Sequence, residues 1–355
     1  MRAQADPSIR RVVIGNFQFP LGVYPVEDMT PAAGYSMAFE QADGGAEGEW
    51  EEWPDRYAYD IVVSAERLPT LVRTLLSLFE GRVYPILDVL GQDSYREIDP
   101  FISYELVGAD RVFDAIREYA DYFYEDGMCG FGAMSEEPFL YLFVDEHKIL
   151  TVRAEVSLKE RVERVLHAFD LEQNEEVAGA DAAAHEHRAV LKVKNDDTVL
   201  MSSEEVVERL KDNWRLLLNV DPDTNVDDEG KDLGATHWRA IVRCALADTA
   251  PRYAEVLFDA NNLRHAEEVA FDALEDMATK EETHWEDAGV MTLDRVSAEQ
   301  FKQVLASAGV TPESLEAPGK KKGKGSPTKR KSDAAEAGDA LSPEPGRVYA
   351  VRWLE

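Results

Sequence analysis

Between Asn219 and Gly234 the chain reads NVDPDTNVDDEGKDLG, with five Asp, one Glu and two Asn in sixteen residues. Oxygen donors at alternate positions are what a calcium ion takes from a twelve-residue loop. Counted from Asp221, the residues Asp223, Asn225, Asp227 and Glu229 fall on successive ligand positions, and Asp232 falls on the last. The departures are specific. Val226 stands where such a loop turns on glycine, Asp228 where it needs an apolar side chain, and Asp232 is one methylene shorter than the usual glutamate. The competing reading is a turn rich in Asp and Asn because these side chains bond their own backbone. Ca2+ is the one cofactor the sequence suggests, and it would use these six residues.

Other reactive residue types carry less. Cys129 lies in DGMCGFGAM among small residues, but its sequence neighbours Asp126, Glu136 and Glu137 would oppose thiolate formation. It reads as a buried, inert thiol beside glycines that permit close strand packing. His185 and His187 share a face only if they lie on a strand. They fall in an acidic, Ala-rich stretch with no third ligand in register, so they read as part of a solvated connection. HExxH, CxxC, GxSxG and phosphate-loop patterns are all missing from the sequence. No catalytic residue is nominated.

Two further features suit recognition rather than catalysis. Trp50 and Trp53 stand among Glu and Gly in DGGAEGEWEEWPD, at the tip of an expected hairpin. They are either tucked back or displayed to a partner. Near the C-terminus, KKKGKGSPTKRK holds seven basic residues in twelve: Lys320, Lys321, Lys322, Lys324, Lys329, Arg330 and Lys331. The chain then ends RVYAVRWLE, which alternates like a strand and carries Trp353.

The elements that must position these groups follow from periodicity. Apolar residues at helical spacing predict helices over 66–79, 110–125, 158–170, 203–218, 236–246, 263–277 and 297–308. Strand-like runs include RYAYDIVVS, RVYPILDVLG and PFISYELVG. PFLYLFVDE and HKILTVRAEV predict a hairpin turning at Asp145–Lys148. Hairpins among helices, without steady strand–helix alternation, predict an α+β fold. Its sheets should be mixed and largely antiparallel, with helices on one face. The expected layout is an α+β domain over 1–171, a linker over 172–188 and a helix-rich α+β domain over 189–317. A disordered basic segment over 318–346 and a terminal strand over 347–355 complete it.

Composition bounds the function. The 355 residues are 45% hydrophobic and hold two Cys, which suits a cytoplasmic protein without a disulfide framework. The apolar runs are short and broken by charge, so no membrane-spanning helix is expected. Residues 318–355 hold nine Lys or Arg and five Asp or Glu, so 1–317 carries 29 basic and 65 acidic residues, a net of −36. Such a body should repel phosphate backbones, which disfavours direct nucleic-acid binding. The expectation is a non-catalytic protein-interaction or regulatory module with an unidentified protein partner. Alternatives are a calcium-responsive protein, an enzyme whose site forms between the halves, and an acidic nucleic-acid mimic.

Overall fold

The computed structural model describes residues 2–42, 53–192, 200–245, 251–281, 285–310 and 342–354. Trp50 and the basic run Lys320–Lys331 lie outside these residues. The fold is α+β, in two compact units. One comprises residues 1–90 and 98–220, the other 91–97 and 221–355. The expected linker at 172–188 thus falls inside the first unit, and so does the segment from 189 to 220.

The first unit begins with two short strands, β1 (Val13–Ile14) and β2 (Phe17–Gln18), joined through Gly15 at φ 62°, and then β3 (Val23–Pro25). Next come β4 (Gly34–Glu40), β5 (Arg56–Val62), α1 (Leu68–Leu76), β6 (Arg82–Leu90), β7 (Ile98–Ile102) and β8 (Val107–Gly108). They are followed by α2 (Ala109–Glu118), α3 (Ala120–Glu125), β9 (Cys129–Glu136), β10 (Phe139–Val144), β11 (Leu150–Glu155) and α4 (Lys159–Ala168). The unit closes with β12 (His185–His187), α5 (Ser203–Trp214) and β13 (Leu217–Leu218). Nine strands form one antiparallel sheet in the order β13-β7-β6-β9-β10-β11-β5-β4, with β8 also on β6.

Alternation decides which face of this sheet is covered. Leu140, Leu142 and Val144 of β10, and Leu150, Val152 and Ala154 of β11, are buried in one core with α1. From α1 that core takes Leu68, Leu71, Val72, Leu75 and Leu76. Burying each such side chain contributes about 1.5–3 kcal/mol before conformational entropy is counted. Helices α2 to α5 add residues to the same core, including Trp214, which stacks on Phe123 at 5.8 Å. The expected helix over 110–125 is broken at Tyr119, whose φ and ψ of −108° and 36° leave the helical region. Helix α5 starts on a reciprocal cap: the Glu205 N–H donates to the Ser202 hydroxyl and the Ser202 N–H donates to the Glu205 carboxylate.

The second unit is a four-stranded antiparallel sheet in the order β16-β14-β15-β17. Its strands are β14 (Thr236–Ala245), β15 (Arg252–Ala260), β16 (Asp287–Val296) and β17 (Val348–Leu354), with helices α6 (Leu263–Glu281) and α7 (Ala298–Ser307). The helix expected over 236–246 is therefore a strand. Trp238, Ala240, Val242 and Cys244 are buried on the face that meets α6, and Arg239, Ile241 and Arg243 alternate with them. Phe301 and Leu305 of α7 pack with Leu257 and Val296.

The C-terminal strand docks within its own chain. Asp259 fastens it: one carboxylate oxygen accepts from His237 Nδ1 at 2.6 Å, the other from the Tyr349 hydroxyl at 2.7 Å and the Glu344 N–H at 2.8 Å. Trp353 joins the α6-side core, and the Arg252 guanidinium lies 3.9 Å from its ring centroid.

Candidate metal centre

Among the described residues, two groups could hold a metal ion and both include His147: one with His185 and His187, the other with Asp145 and Glu146. His147, His185 and His187 bring one ring nitrogen each to within 4.8 Å of one another. Their ring centroids are 4.8, 4.9 and 5.1 Å apart, and their planes cross at 76, 79 and 70°. All three side chains are half-buried.

Backbone pairing explains why HEH is a strand despite its Ala-rich surroundings. β12 pairs antiparallel with β3, with His185 opposite Pro25 and His187 opposite Val23. Residues two apart on a strand point the same way, so both imidazoles emerge on one face. Beyond β12, three backbones meet in a knot. The Gly22 N–H donates to Glu125 O at 2.7 Å, the Arg188 N–H to Gly22 O at 2.8 Å, and the Gly127 N–H to Arg188 O at 3.1 Å. Glycine is required here by space: a Cβ on Gly127 would lie 2.0 Å from the Gly22 carbonyl oxygen, and one on Gly22 would lie 2.1 Å from Gly127 N. The Arg188 guanidinium, which donates to Leu21 O and sits 4.4 Å over the Tyr24 ring, ties down the same strand.

His147 comes from the turn between β10 and β11, where the sequence predicts one. Asp145 closes that turn. Its carboxylate accepts from the Ile149 N–H at 2.7 Å and its carbonyl from the Lys148 N–H at 3.1 Å. Lys148 adopts φ 64°, and its buried amine donates to the Cys129 carbonyl, which anchors the turn to β9. His147 is left facing β12.

The hydrogen bonds fix which nitrogen each ring offers. A carbonyl only accepts, so His185 Nδ1 donates to Ala183 O at 2.8 Å and His187 Nδ1 donates to Gly127 O at 2.7 Å. Both rings, when neutral, carry their lone pair on Nε2. His147 Nε2 lies 3.0 Å from His185 Nε2, while its Nδ1 faces Asp145 Oδ2 at 3.5 Å and Glu146 Oε1 at 3.6 Å. Without a cation, His147 must donate from Nε2, and a bare Nδ1 lone pair would then face two carboxylates. Only the imidazolium satisfies both sides. Accordingly, the hydrogen bond to Asp145 raises the His147 pKa above its ordinary value, whereas burial lowers that of His187. A metal ion resolves the same conflict with all three rings neutral. Metal-bound imidazoles commonly donate their other N–H to a carbonyl or carboxylate, the arrangement found at each ring here. Two nitrogens on a tetrahedral zinc at about 2.0–2.1 Å are roughly 3.3 Å apart, close to the spacing of the His147–His185 pair.

The surroundings are acidic. Asp145, Glu146 and Asp181 act on His147, and burial followed by the charge of Glu146 holds the Asp88 carboxyl up at about 6. Such a setting favours a cation over a thiolate or an anion. Burial likewise pushes the Cys129 thiol up to about 11, consistent with an inert thiol.

The residues nominated from sequence lie elsewhere, and the structure does not bring the six loop residues together as a ligand set. The Asp223 carboxylate is held by Arg264 at 2.6 and 2.9 Å, and Asn225 Oδ1 accepts from Arg295 at 3.2 Å. Asp221 accepts from the Asp223 N–H, Asp227 from the Glu229 and Lys231 N–H groups, and Asp232 from the Gly234 N–H. Two guanidiniums and a series of backbone turns bond oxygens of Asp221, Asp223, Asn225, Asp227 and Asp232, a pattern that suits the turn reading. The flanking elements also differ from a helix–loop–helix, since β13 precedes the loop and β14 follows it. Trp53 is tucked against Phe139 at 5.1 Å and Tyr141 at 6.2 Å, with Arg56 and Arg153 over its ring.

Sequence reasoning passed over His147, His185 and His187 as a set. The available signal was the i, i+2 spacing of His185 and His187 together with one more histidine in a hairpin turn. No helix among the described residues is long and apolar enough to cross a membrane. Compared with known protein families, with curated proteins and with solved structures, the chain finds no match.

Proposed function

We propose that the protein binds one divalent transition-metal ion, zinc being the best fit, through Nε2 of His147, His185 and His187. The observation that carries this reading is the approach of one ring nitrogen from each of three histidines, with Nε2 of His147 and His185 3.0 Å apart, while each Nδ1 faces a protein acceptor. Imidazole suits zinc, copper, iron and nickel, whereas calcium and magnesium prefer all-oxygen shells. The ion would tie β12 to the β10–β11 turn, joining segments 38 residues apart in the chain.

Calorimetry on the full chain should give one zinc ion per chain. Replacing His185 and His187 together by alanine should abolish that binding and leave the far-UV circular dichroism unchanged. An unaltered zinc isotherm in the double variant would refute the assignment. Because a ligand that binds only the folded state stabilises it, zinc at a thousandfold excess over its Kd should add about 4 kcal/mol. For a unit of this size, that raises the midpoint of the first unit's melting by about 10 °C. Protons compete for the same nitrogens, so zinc affinity should fall reversibly as the pH drops below neutrality.

A further inference from the structure

The three imidazoles form a cap rather than a cage. Their near-equal centroid spacings and steep interplanar angles describe a roughly threefold array. On the far side of each ring, Nδ1 is directed at protein: Ala183 O, Gly127 O, and the Asp145 and Glu146 carboxylates. The Asp145 and Glu146 carboxylates face His147 at its Nδ1, at 3.5 and 3.6 Å, where they orient the ring. The rings are half-buried, so solvent reaches the array. Structural zinc sites are closed by four protein ligands, whereas catalytic ones keep three and leave a position for water.

Resting on the metal reading above, we infer that the bound ion keeps a fourth, exchangeable position and hydrolyses small neutral carbonyl esters there. Three neutral ligands leave the ion its full charge, and under such ligation a bound water loses its proton at about pH 7. The resulting hydroxide adds to the ester carbonyl carbon. The carbon–oxygen bond to the leaving group breaks, and the leaving oxygen takes a proton from solvent. The products are a carboxylic acid and an alcohol, with no change in oxidation state.

Charge selects the substrate. The acidic groups around the site are Asp145 and Glu146 on the turn, Asp181 ahead of β12 and Asp88 on β6. The nearest lysine, Lys148, turns its amine inward to the Cys129 carbonyl. A phosphate or carboxylate substrate would meet this field unfavourably, whereas a neutral ester would not.

The test uses the full chain, metal-free and loaded with zinc, with 4-nitrophenyl acetate and 4-nitrophenyl phosphate as probes. A cobalt-loaded sample is titrated with acetohydroxamic acid, a neutral metal-binding probe. The loaded chain should hydrolyse the acetate at least about tenfold faster than the metal-free chain and leave the phosphate untouched. Acetohydroxamic acid should shift the visible cobalt bands and inhibit the zinc form. Stoichiometric metal binding with unmoved cobalt bands and no ester hydrolysis would overturn the inference and leave the metal site standing. Faster turnover of the phosphate would overturn the substrate class. Failure to bind zinc or cobalt at all would remove both readings.

Discussion

Gly127→Ala should cost about 3 kcal/mol of stability and weaken zinc binding by at least about tenfold. The added methyl would sit 2.0 Å from the Gly22 carbonyl oxygen, and both partners are backbone, so no side chain can swing aside. Relief must come from separating the strands, which breaks the bonds among Gly22, Gly127 and Arg188. The same movement withdraws the Gly127 carbonyl from His187 Nδ1. Stability and metal affinity should therefore fall together. Chemical denaturation and zinc calorimetry on the same sample would show this. Gly289→Ala is the control: its Cβ meets nothing within 4 Å, and the change should move stability by less than about 1 kcal/mol. Equal behaviour of the two variants would mean that the knot does not position the metal site.

Asp93→Ala should destabilise the second unit by about 3–5 kcal/mol. Asp93 and Arg295 form a buried ion pair, with side chains 0% and 5% exposed. Asp93 accepts from the Arg295 N–H at 2.7 Å and from its guanidinium at 2.9 to 3.0 Å. The same guanidinium reaches Asn225 and the Val226 carbonyl, so it also organises the acidic loop. Removing the carboxylate strands a buried cation, which is costlier than removing the pair. A double variant, Asp93→Leu with Arg295→Met, should accordingly recover a large part of the loss. Tryptophan fluorescence during denaturation would follow the unit through Trp238, which is buried in it. A loss below about 1 kcal/mol in the single variant would contradict this account.

How much was legible in the sequence depended on whether one period dominated. Helix α1 was, because Leu68, Leu71, Val72, Leu75 and Leu76 fall on one face with Arg73 and Thr74 opposite. The β10–β11 hairpin was, because two apolar runs flank the polar turn at Asp145–Lys148. β14 was misread, since Ile241 and Ala245 fill gaps in the alternation and mimic a helical face. The acidic loop matches a calcium loop in composition and in the spacing of its oxygen donors, but these oxygens serve Arg264, Arg295 and backbone N–H groups.

The histidine cluster shows the opposite failure. His185 and His187 are two apart in sequence, but their common face exists only because pairing with β3 makes HEH a strand. The third histidine comes from the β10–β11 turn of a different sheet, and no local pattern encodes its approach. The glycines of the knot, Gly22 and Gly127, are equally silent in sequence, because their need is a contact between backbones far apart in the chain.

The most direct measurement is X-ray absorption at the zinc edge on the full chain loaded with one equivalent of zinc. The account predicts three imidazole nitrogens at about 2.0 Å, recognisable by scattering from the outer ring atoms, and one further light ligand at a similar distance. A shell made only of oxygens, without imidazole scattering, would contradict it and return attention to the carboxylates.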